Sequence, residues 1–208
     1  MMKRLLPFIS IGIVSLLGAC SQPGVATPSS LTIVPGAGVS NVVALGMTLR
    51  EVAHRTKDYE MSTTHNPDWF GARIQSLGIS LGGPYRGKNA PYYGFINFHV
   101  VPSAGEPQGT FTGYVEGGIS FADTAHVRRD DIVSTFGSPQ ESITSAGSTN
   151  AFRFLLDGIS YSMLGSNHTE VIYYPADGIM FEVQTGLVIR VAVYPKRSGR
   201  INASTLRR

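Results

Sequence analysis

The chain has 208 residues, of which 42% are hydrophobic, with 17 basic side chains, 14 acidic side chains and one cysteine. This length suits one domain of ordinary size or two small modules, and a single cysteine excludes an internal disulfide. The positive charge lies at the two ends, because residues 20–195 carry 10 basic and 14 acidic side chains. The composition therefore gives no support to nucleic-acid binding.

The N-terminus has the pattern of a secretory leader. Lys3 and Arg4 precede an apolar run over residues 5–17, which has the length of a signal-peptide core and is short for a membrane span. The sequence LGAC at 17–20 resembles the lipobox of bacterial lipoproteins, which implies cleavage before Cys20 and acylation of its thiol and amine. An ordinary signal peptide that leaves a free thiol at Cys20 is the alternative.

The composition predicts five segments. Residues 1–19 are the expected lipoprotein signal peptide, and residues 20–30 are the lipidated cysteine with an uncharged linker rich in serine and proline. Two α+β modules are expected over 31–118 and 119–195. Residues 196–208 form a basic tail without apolar periodicity.

Two segments have the pattern of short amphipathic helices. The first opens on a capping box, in which Thr48 and Glu51 satisfy each other's free backbone amides. The second is predicted over residues 126–136, with Val127 and Ile132 facing inward, and a glycine and a proline follow it as a stop signal.

Most of the remaining chain alternates apolar and polar residues, as antiparallel strands do. Over residues 92–101, Ile96 and Phe98 are predicted to face the core, and the opposite face carries Tyr93, Phe95, Asn97 and His99. Residues 179–184 and 187–194 are predicted to form a hairpin about the turn Thr185-Gly186. Helices combined with antiparallel meanders indicate an α+β fold.

An internal repeat with an offset of 80 residues is visible at a few positions. Gly78-Ile79-Ser80 falls on Gly158-Ile159-Ser160, and Val52 in the first helix falls on Ile132 in the second. This pattern predicts one or two helix-plus-antiparallel-meander modules, and a duplication is the preferred interpretation.

The motif LGMT-x-x-EV, at 45–52, and the helix ending V-x-x-x-x-V-x-x-x-FG-x-P, at 127–139, resemble those of small bacterial envelope lipoproteins. These include outer-membrane assembly lipoproteins of the SmpA/OmlA type, and the related β-lactamase-inhibitor-protein fold. The resemblance implies tandem helix-plus-sheet repeats. It implies no chemistry, and the assembly lipoproteins are shorter, with one unit.

Two segments approach catalytic motifs. GISLG at 78–82 matches the G-x-S-x-G nucleophile elbow around Ser80, but the residues that follow cannot begin a helix promptly. The segment 82–88 nearly spells a phosphate-binding loop, but Asn89 replaces the hydroxyl that would bind Mg²⁺. An exposed turn with two cations, Arg86 and Lys88, is the preferred interpretation, and such a turn could contact an anionic surface.

No histidine has the spacing of a zinc ligand, so we expect no metal and no cofactor. The open face of the strands is expected to supply a recognition surface from Tyr93, Phe95, His99 and Tyr114, because tyrosine and other aromatic residues are favoured at interfaces.

The leading hypothesis from sequence is a lipid-anchored, non-enzymatic protein on the periplasmic face of the outer membrane. Ser21 after the cysteine is consistent with export to that membrane under the usual bacterial sorting rule. The expected partners are membrane lipid, through acylated Cys20, and an envelope protein or polymer. The alternative is an envelope hydrolase acting on peptidoglycan or an ester, with Ser80 or dispersed carboxylates. A third hypothesis has the tail at 196–208 bind anionic lipid or cell wall.

The substitution Cys20→Ala tests the predicted anchor. Removing the acylated thiol removes an anchor worth ~0.8 kcal/mol per buried CH₂, so the variant is expected to leave the membrane fraction. Fractionation of envelopes, with and without globomycin, measures this. A variant that stays with membranes under both conditions would overturn the prediction.

Overall fold

The computed structural model describes residues 31–39, 41–65, 69–84, 87–90, 94–102, 109–122, 127–139, 141–144, 151–156, 159–164 and 169–196. The predicted signal peptide, Cys20, the linker and Tyr93 lie outside the described residues, as does the tail after Lys196.

The described residues contain two short helices and fifteen strands. The helices are α1 (Leu49–Arg55) and α2 (Arg129–Phe136). The strands are β1 (Thr32–Ile33), β2 (Gly38–Val39), β3 (Val43–Ala44), β4 (Met61–His65), β5 (Trp69–Ile74), β6 (Ile79–Pro84), β7 (Phe95–His99), β8 (Tyr114–Val115), β9 (Ile119–Ser120), β10 (Glu141–Thr144), β11 (Ala151–Leu156), β12 (Ile159–Leu164), β13 (Thr169–Tyr174), β14 (Ile179–Gln184) and β15 (Leu187–Val193).

One eight-stranded sheet dominates, in the order β10-β13-β14-β15-β7-β6-β5-β4. Every neighbouring pair in it is antiparallel. The sheet consists of two four-stranded halves, and their last strands, β7 and β15, pair with each other. The predicted α+β class is confirmed.

Three smaller sheets accompany it. Strand β1 pairs in parallel with β8, which pairs with β9, so the residues before α1 and before α2 share one three-stranded sheet. Strands β2 and β3 form a second small sheet. Strands β11 and β12 form a hairpin that is separate from the eight-stranded sheet.

Helix α1 begins where the capping box predicts. Glu51 N–H donates to the Thr48 hydroxyl at 3.2 Å, and Thr48 N–H donates to the Glu51 carboxylate at 2.7 Å. The bond from Thr48 N–H, followed by one that the Thr48 hydroxyl donates to the same carboxylate at 2.8 Å, holds the pKa of Glu51 below its ordinary value. Val52 is the buried residue of this helix, so α1 covers the sheet with a narrow apolar face.

Helix α2 begins three residues later than predicted, because the backbone N–H of Arg128 already donates to Asp131 at 2.7 Å as the N-cap. The helix is held on the sheet at both ends. Arg129 forms a salt bridge with Glu170 of β13 at 2.8 Å, and the Tyr174 hydroxyl donates to the Gly137 carbonyl at 2.8 Å. Neither helix of the described chain is long and apolar enough to cross a membrane.

Both helices lie on one face of the sheet, here called the inner face. Alternate residues of each strand point to it and form the core, as strand geometry requires. Ile96 and Phe98 of β7 are fully buried there, as predicted, and so are Ile179 and Phe181 of β14. Phe136 of α2 packs on Phe181, with ring centroids 5.4 Å apart.

Two glycines occupy matching positions before the third strand of each half. Gly78 precedes β6 with a φ of 62°, and Gly178 precedes β14 with a φ of 72°. The carbonyl of Gly78 accepts from His99 N–H at 2.7 Å, and that of Gly178 accepts from Tyr194 N–H at 3.1 Å. A Cβ on Gly78 would lie 2.6 Å from the backbone nitrogen of Phe111, so only glycine fits.

We therefore predict that Gly78→Ala lowers the free energy of unfolding by about 2–4 kcal/mol, combining left-handed strain with overpacking against backbone. Gly46→Ala is the matched control, because Gly46 has a φ of 87° with nothing within 4 Å of its Cβ position. Urea unfolding compares the two variants. Equal losses of stability would contradict the backbone contact at Gly78.

Candidate functional site

The face of the sheet away from the helices, here called the outer face, carries a line of polar side chains. It crosses five neighbouring strands, and its members, here called the polar row, are Arg73, Ser80, His99, Arg190 and Glu182. Arg73 is paired with Ser80, and Arg190 is paired with both His99 and Glu182. Register alone therefore brings these side chains onto one face.

Ser80 and His99 are in direct contact. The Ser80 hydroxyl lies 2.8 Å from Nε2 of His99, a hydrogen-bond distance. Ser80 lies on β6 and His99 on β7, and the two residues are diagonal neighbours on the outer face, because Ser80 is paired with Asn97. His99 is buried, with 2% of its surface exposed, whereas Ser80 is half-buried.

Arg190 and Glu182 form a closely spaced ion pair beside the histidine. Nε of Arg190 donates to Oε2 of Glu182 at 2.7 Å, and Nη2 donates to the same oxygen at 2.6 Å. Glu182 is 5% exposed. A buried carboxylate requires such a partner, because burying an unpaired charge is very unfavourable.

The environment keeps His99 neutral. Burial, followed by the positive charges of Arg190 and Arg73, lowers its pKa to about 3. At neutral pH one ring nitrogen then carries the proton and the other accepts a hydrogen bond. The Ser80–His99 contact is therefore a bond between neutral groups.

This geometry fits catalysis by Ser80 poorly. The nucleophile elbow places its serine at a strand-to-helix turn, but Ser80 is the second residue of β6, which is paired on both sides. A histidine does lie within reach, as a hydrolase needs. A general base works best with a pKa near the operating pH, and that of His99 is about 3.

The outer face is covered unevenly. Over β13–β15 most of its residues are buried: Tyr173, Met180 and Ala192 are 3%, 4% and 2% exposed. Over β4 and β5, Ser62, Thr64 and Arg73 are exposed, and Ser80 of β6 is half-buried. The polar row thus runs from a buried end at Glu182 to an open end at Arg73.

The structure brings together some of the predicted recognition residues. Phe95 and His99 share the outer face of β7, as predicted; Phe95 is half-buried. Tyr114 is 41% exposed but lies on β8, in the separate three-stranded sheet. Because His99 is buried, a binding partner could contact its neighbours but not its ring.

The remaining motifs give no further chemistry. In the described part of the chain, no three or more His, Cys, Asp or Glu side chains are grouped to hold a metal ion. Gly82–Pro84 of the phosphate-loop-like segment belong to β6, and a turn at 88–90 precedes β7. A helix, which a phosphate-binding loop requires, does not follow in the residues described there.

Sequence reasoning missed Arg190, Glu182 and Arg73 as members of the site. The signal for the first two was present, because a hairpin about Thr185-Gly186 places Glu182 near Arg190. Their alignment also depends on a register shift between Glu182 and Val183. Alternation within each strand does not reveal that shift.

Comparison with known protein families, with curated proteins and with solved structures finds no match to this chain.

The pKa of His99 predicts how stability depends on pH. Because the folded pKa of about 3 lies below the ordinary 6.5, the unfolded chain binds the proton first, and stability falls as pH drops from 6.5 toward 3. The slope from this group is at most about 1.4 kcal/mol per pH unit. We expect His99→Gln, which cannot titrate, to flatten the decline between pH 6.5 and 5. Urea unfolding at each pH measures it, and an unchanged slope would contradict the assignment.

Proposed function

We propose that this chain is a lipid-anchored envelope protein that binds an envelope protein or polymer without catalysing a reaction. The contact surface is the open part of the outer face over β4–β6, at the Arg73 end of the polar row. The observation that carries the proposal is the uneven covering of that face, which leaves polar, hydrogen-bonding side chains at a rigid sheet surface.

The sequence supports the location. A charged N-terminus, a short apolar run and a lipobox-like LGAC precede the linker, so acylated Cys20 would hold the domain at the periplasmic face of the outer membrane. The ten uncharged linker residues span roughly 17 Å as a flexible chain. That reach is enough to free the domain from the headgroups.

The surface is suited to binding. Arg73 supplies a planar guanidinium with several donors, and Ser62 and Thr64 supply hydroxyls on the same face. The core beneath fixes their backbone positions, which lowers the entropy lost on binding. Phe95 adds a half-buried aromatic ring on the outer face of β7.

We also propose that the fold is a duplicated helix-plus-meander module, as the resemblance to the β-lactamase-inhibitor-protein fold implies. The helix N-caps, Thr48 and Arg128, are 80 residues apart and use the same carboxylate bond to the N-cap amide. Beyond the first strand of each half, the offset between corresponding residues of the sheet is 100 rather than 80, since Gly78 corresponds to Gly178. The β11–β12 hairpin is then an insertion in the second module.

An envelope hydrolase is the second candidate, and the 2.8 Å Ser80–His99 contact favours it. If it is correct, the serine should react with a fluorophosphonate probe, and Ser80→Ala should abolish labelling. If dispersed carboxylates act instead of Ser80, hydrolysis of peptidoglycan or of a p-nitrophenyl ester should be detected. The binding hypothesis predicts neither labelling nor turnover.

Site-specific photocrosslinking in cells tests the binding surface. A benzophenone amino acid at Arg73 or Thr64 is expected to give a defined crosslinked product. The same group at Lys57, which is exposed beyond α1, is the matched control and should not give that product. A product common to all three positions, or none from Arg73 and Thr64, would overturn the proposal.

A further inference from the structure

A groove of about 660 Å³ lies on the inner face, between α1 and the edge of the sheet. Its apolar residues include Leu49 and Val52 of the helix and Met61, Phe70 and Ala72 of strands β4 and β5. On the helix side, Val52 is fully buried and Leu49 is half-buried. This volume accommodates several side chains of a ligand.

The groove borders a free sheet edge. Strand β4 is the last strand of the eight-stranded sheet among the described residues. Gln75 N–H donates to the Glu60 carbonyl at 3.1 Å, so residues 60, 62 and 64 bond toward β5. By the alternation of antiparallel pairs, the N–H and C=O of Met61 and Thr63 point outward. Their side chains line the groove.

Two cations contribute to the groove lining. Arg50 and Lys88 are both exposed. The backbone N–H of Arg50 donates to the Lys88 carbonyl at 3.4 Å, which ties the loop before β7 to the helix. An apolar groove with two cations and unpaired backbone groups on one side complements an extended segment that carries both apolar and acidic side chains.

We propose that the α1–β4 groove binds such a peptide as an added β-strand, whose inward-facing residues place apolar side chains under α1 and carboxylates at Arg50 and Lys88. Strand addition of this kind takes affinity from main-chain hydrogen bonds and specificity from pockets for alternate residues. The groove lies on the opposite face of the sheet from the proposed contact surface, although both include strand β4, and the proposal goes beyond the proposed function.

Charge excludes the two terminal segments of this chain as occupants. The linker at 21–30 has no carboxylate, and the tail at 196–208 has five basic residues and no acidic one. A second copy paired through its own β4 would bring the same two cations to the interface. An acidic segment of a different protein is the occupant whose charge best complements the groove.

Fluorescence anisotropy with defined peptides tests the proposal on the mature protein. The probes are labelled octapeptides in which the odd positions share one face of the strand, with valine at position 3, phenylalanine at position 5 and threonine at every even position. Positions 1 and 7 are both glutamate, both glutamine or both lysine. The glutamate peptide is expected to bind about tenfold more tightly than the lysine peptide, which is what two exposed ion pairs supply. The preference should weaken at high salt.

Variants locate the binding. Arg50→Glu with Lys88→Glu should reduce the affinity for the glutamate peptide about tenfold, and Lys57→Glu with Arg55→Glu is the charge-matched control on the same region. Thr63→Pro removes the outward-pointing N–H of residue 63 and breaks no hydrogen bond to β5. Thr63→Ala keeps that N–H and is the control. Thermal unfolding confirms that each variant is folded.

The proposal is overturned if the three peptides bind alike or not at all, or if the groove variants bind as the controls do. It is also overturned if the groove variants lose only the binding of phosphatidylglycerol vesicles, because the two cations would then bind lipid headgroups and not a peptide. Photocrosslinking through Arg73, which lies on β5 and not on the edge strand, is unaffected by these outcomes, so failure here is distinct from failure of the proposed function.

Discussion

The pairing of β7 with β15 is the constraint on which the rest of the structure depends. Each strand is the last of a four-stranded half, and the halves become one sheet because Phe98 lies opposite Val191 and Ile96 lies opposite Val193. All four side chains are fully buried. Without this pairing each half would expose an apolar edge strand, which is a site for aggregation.

The same pairing sets the electrostatics of the polar row. It places Arg190 of one half directly opposite His99 of the other, and burial at this junction, together with that cation, keeps the histidine neutral. Glu182 then neutralises Arg190 from the next strand. A Ser–His contact at such a position suits a structural role better than proton transfer.

The two halves differ in ways that bear on function. In the second half, Arg129 and Tyr174 fix α2 to the sheet, and the outer face is buried. In the first half, α1 stands over an open groove and the outer face is exposed near Arg73. The features suited to binding therefore gather around α1 and the first half.

Local sequence signals predicted much of the fold. The capping box located α1, and period-two alternation assigned the correct faces of β7, since both signals depend on neighbouring residues. The start of α2 was wrong, because the Arg128 cap is made by a residue without a capping preference. The order of strands and the polar row depend on pairing between residues about 90 apart, such as His99 and Arg190, which no local pattern encodes.

Native-state hydrogen exchange tests most directly whether the two halves form one cooperative sheet. The amide of Val100, which donates to the Ile189 carbonyl across the junction at 3.0 Å, is the central reporter. The account predicts that it exchanges with the same free energy as amides in β5–β6 and in β13–β14, through global unfolding. Loss of protection in Val100 and β13–β15 at a lower free energy than in β5–β6 would contradict it.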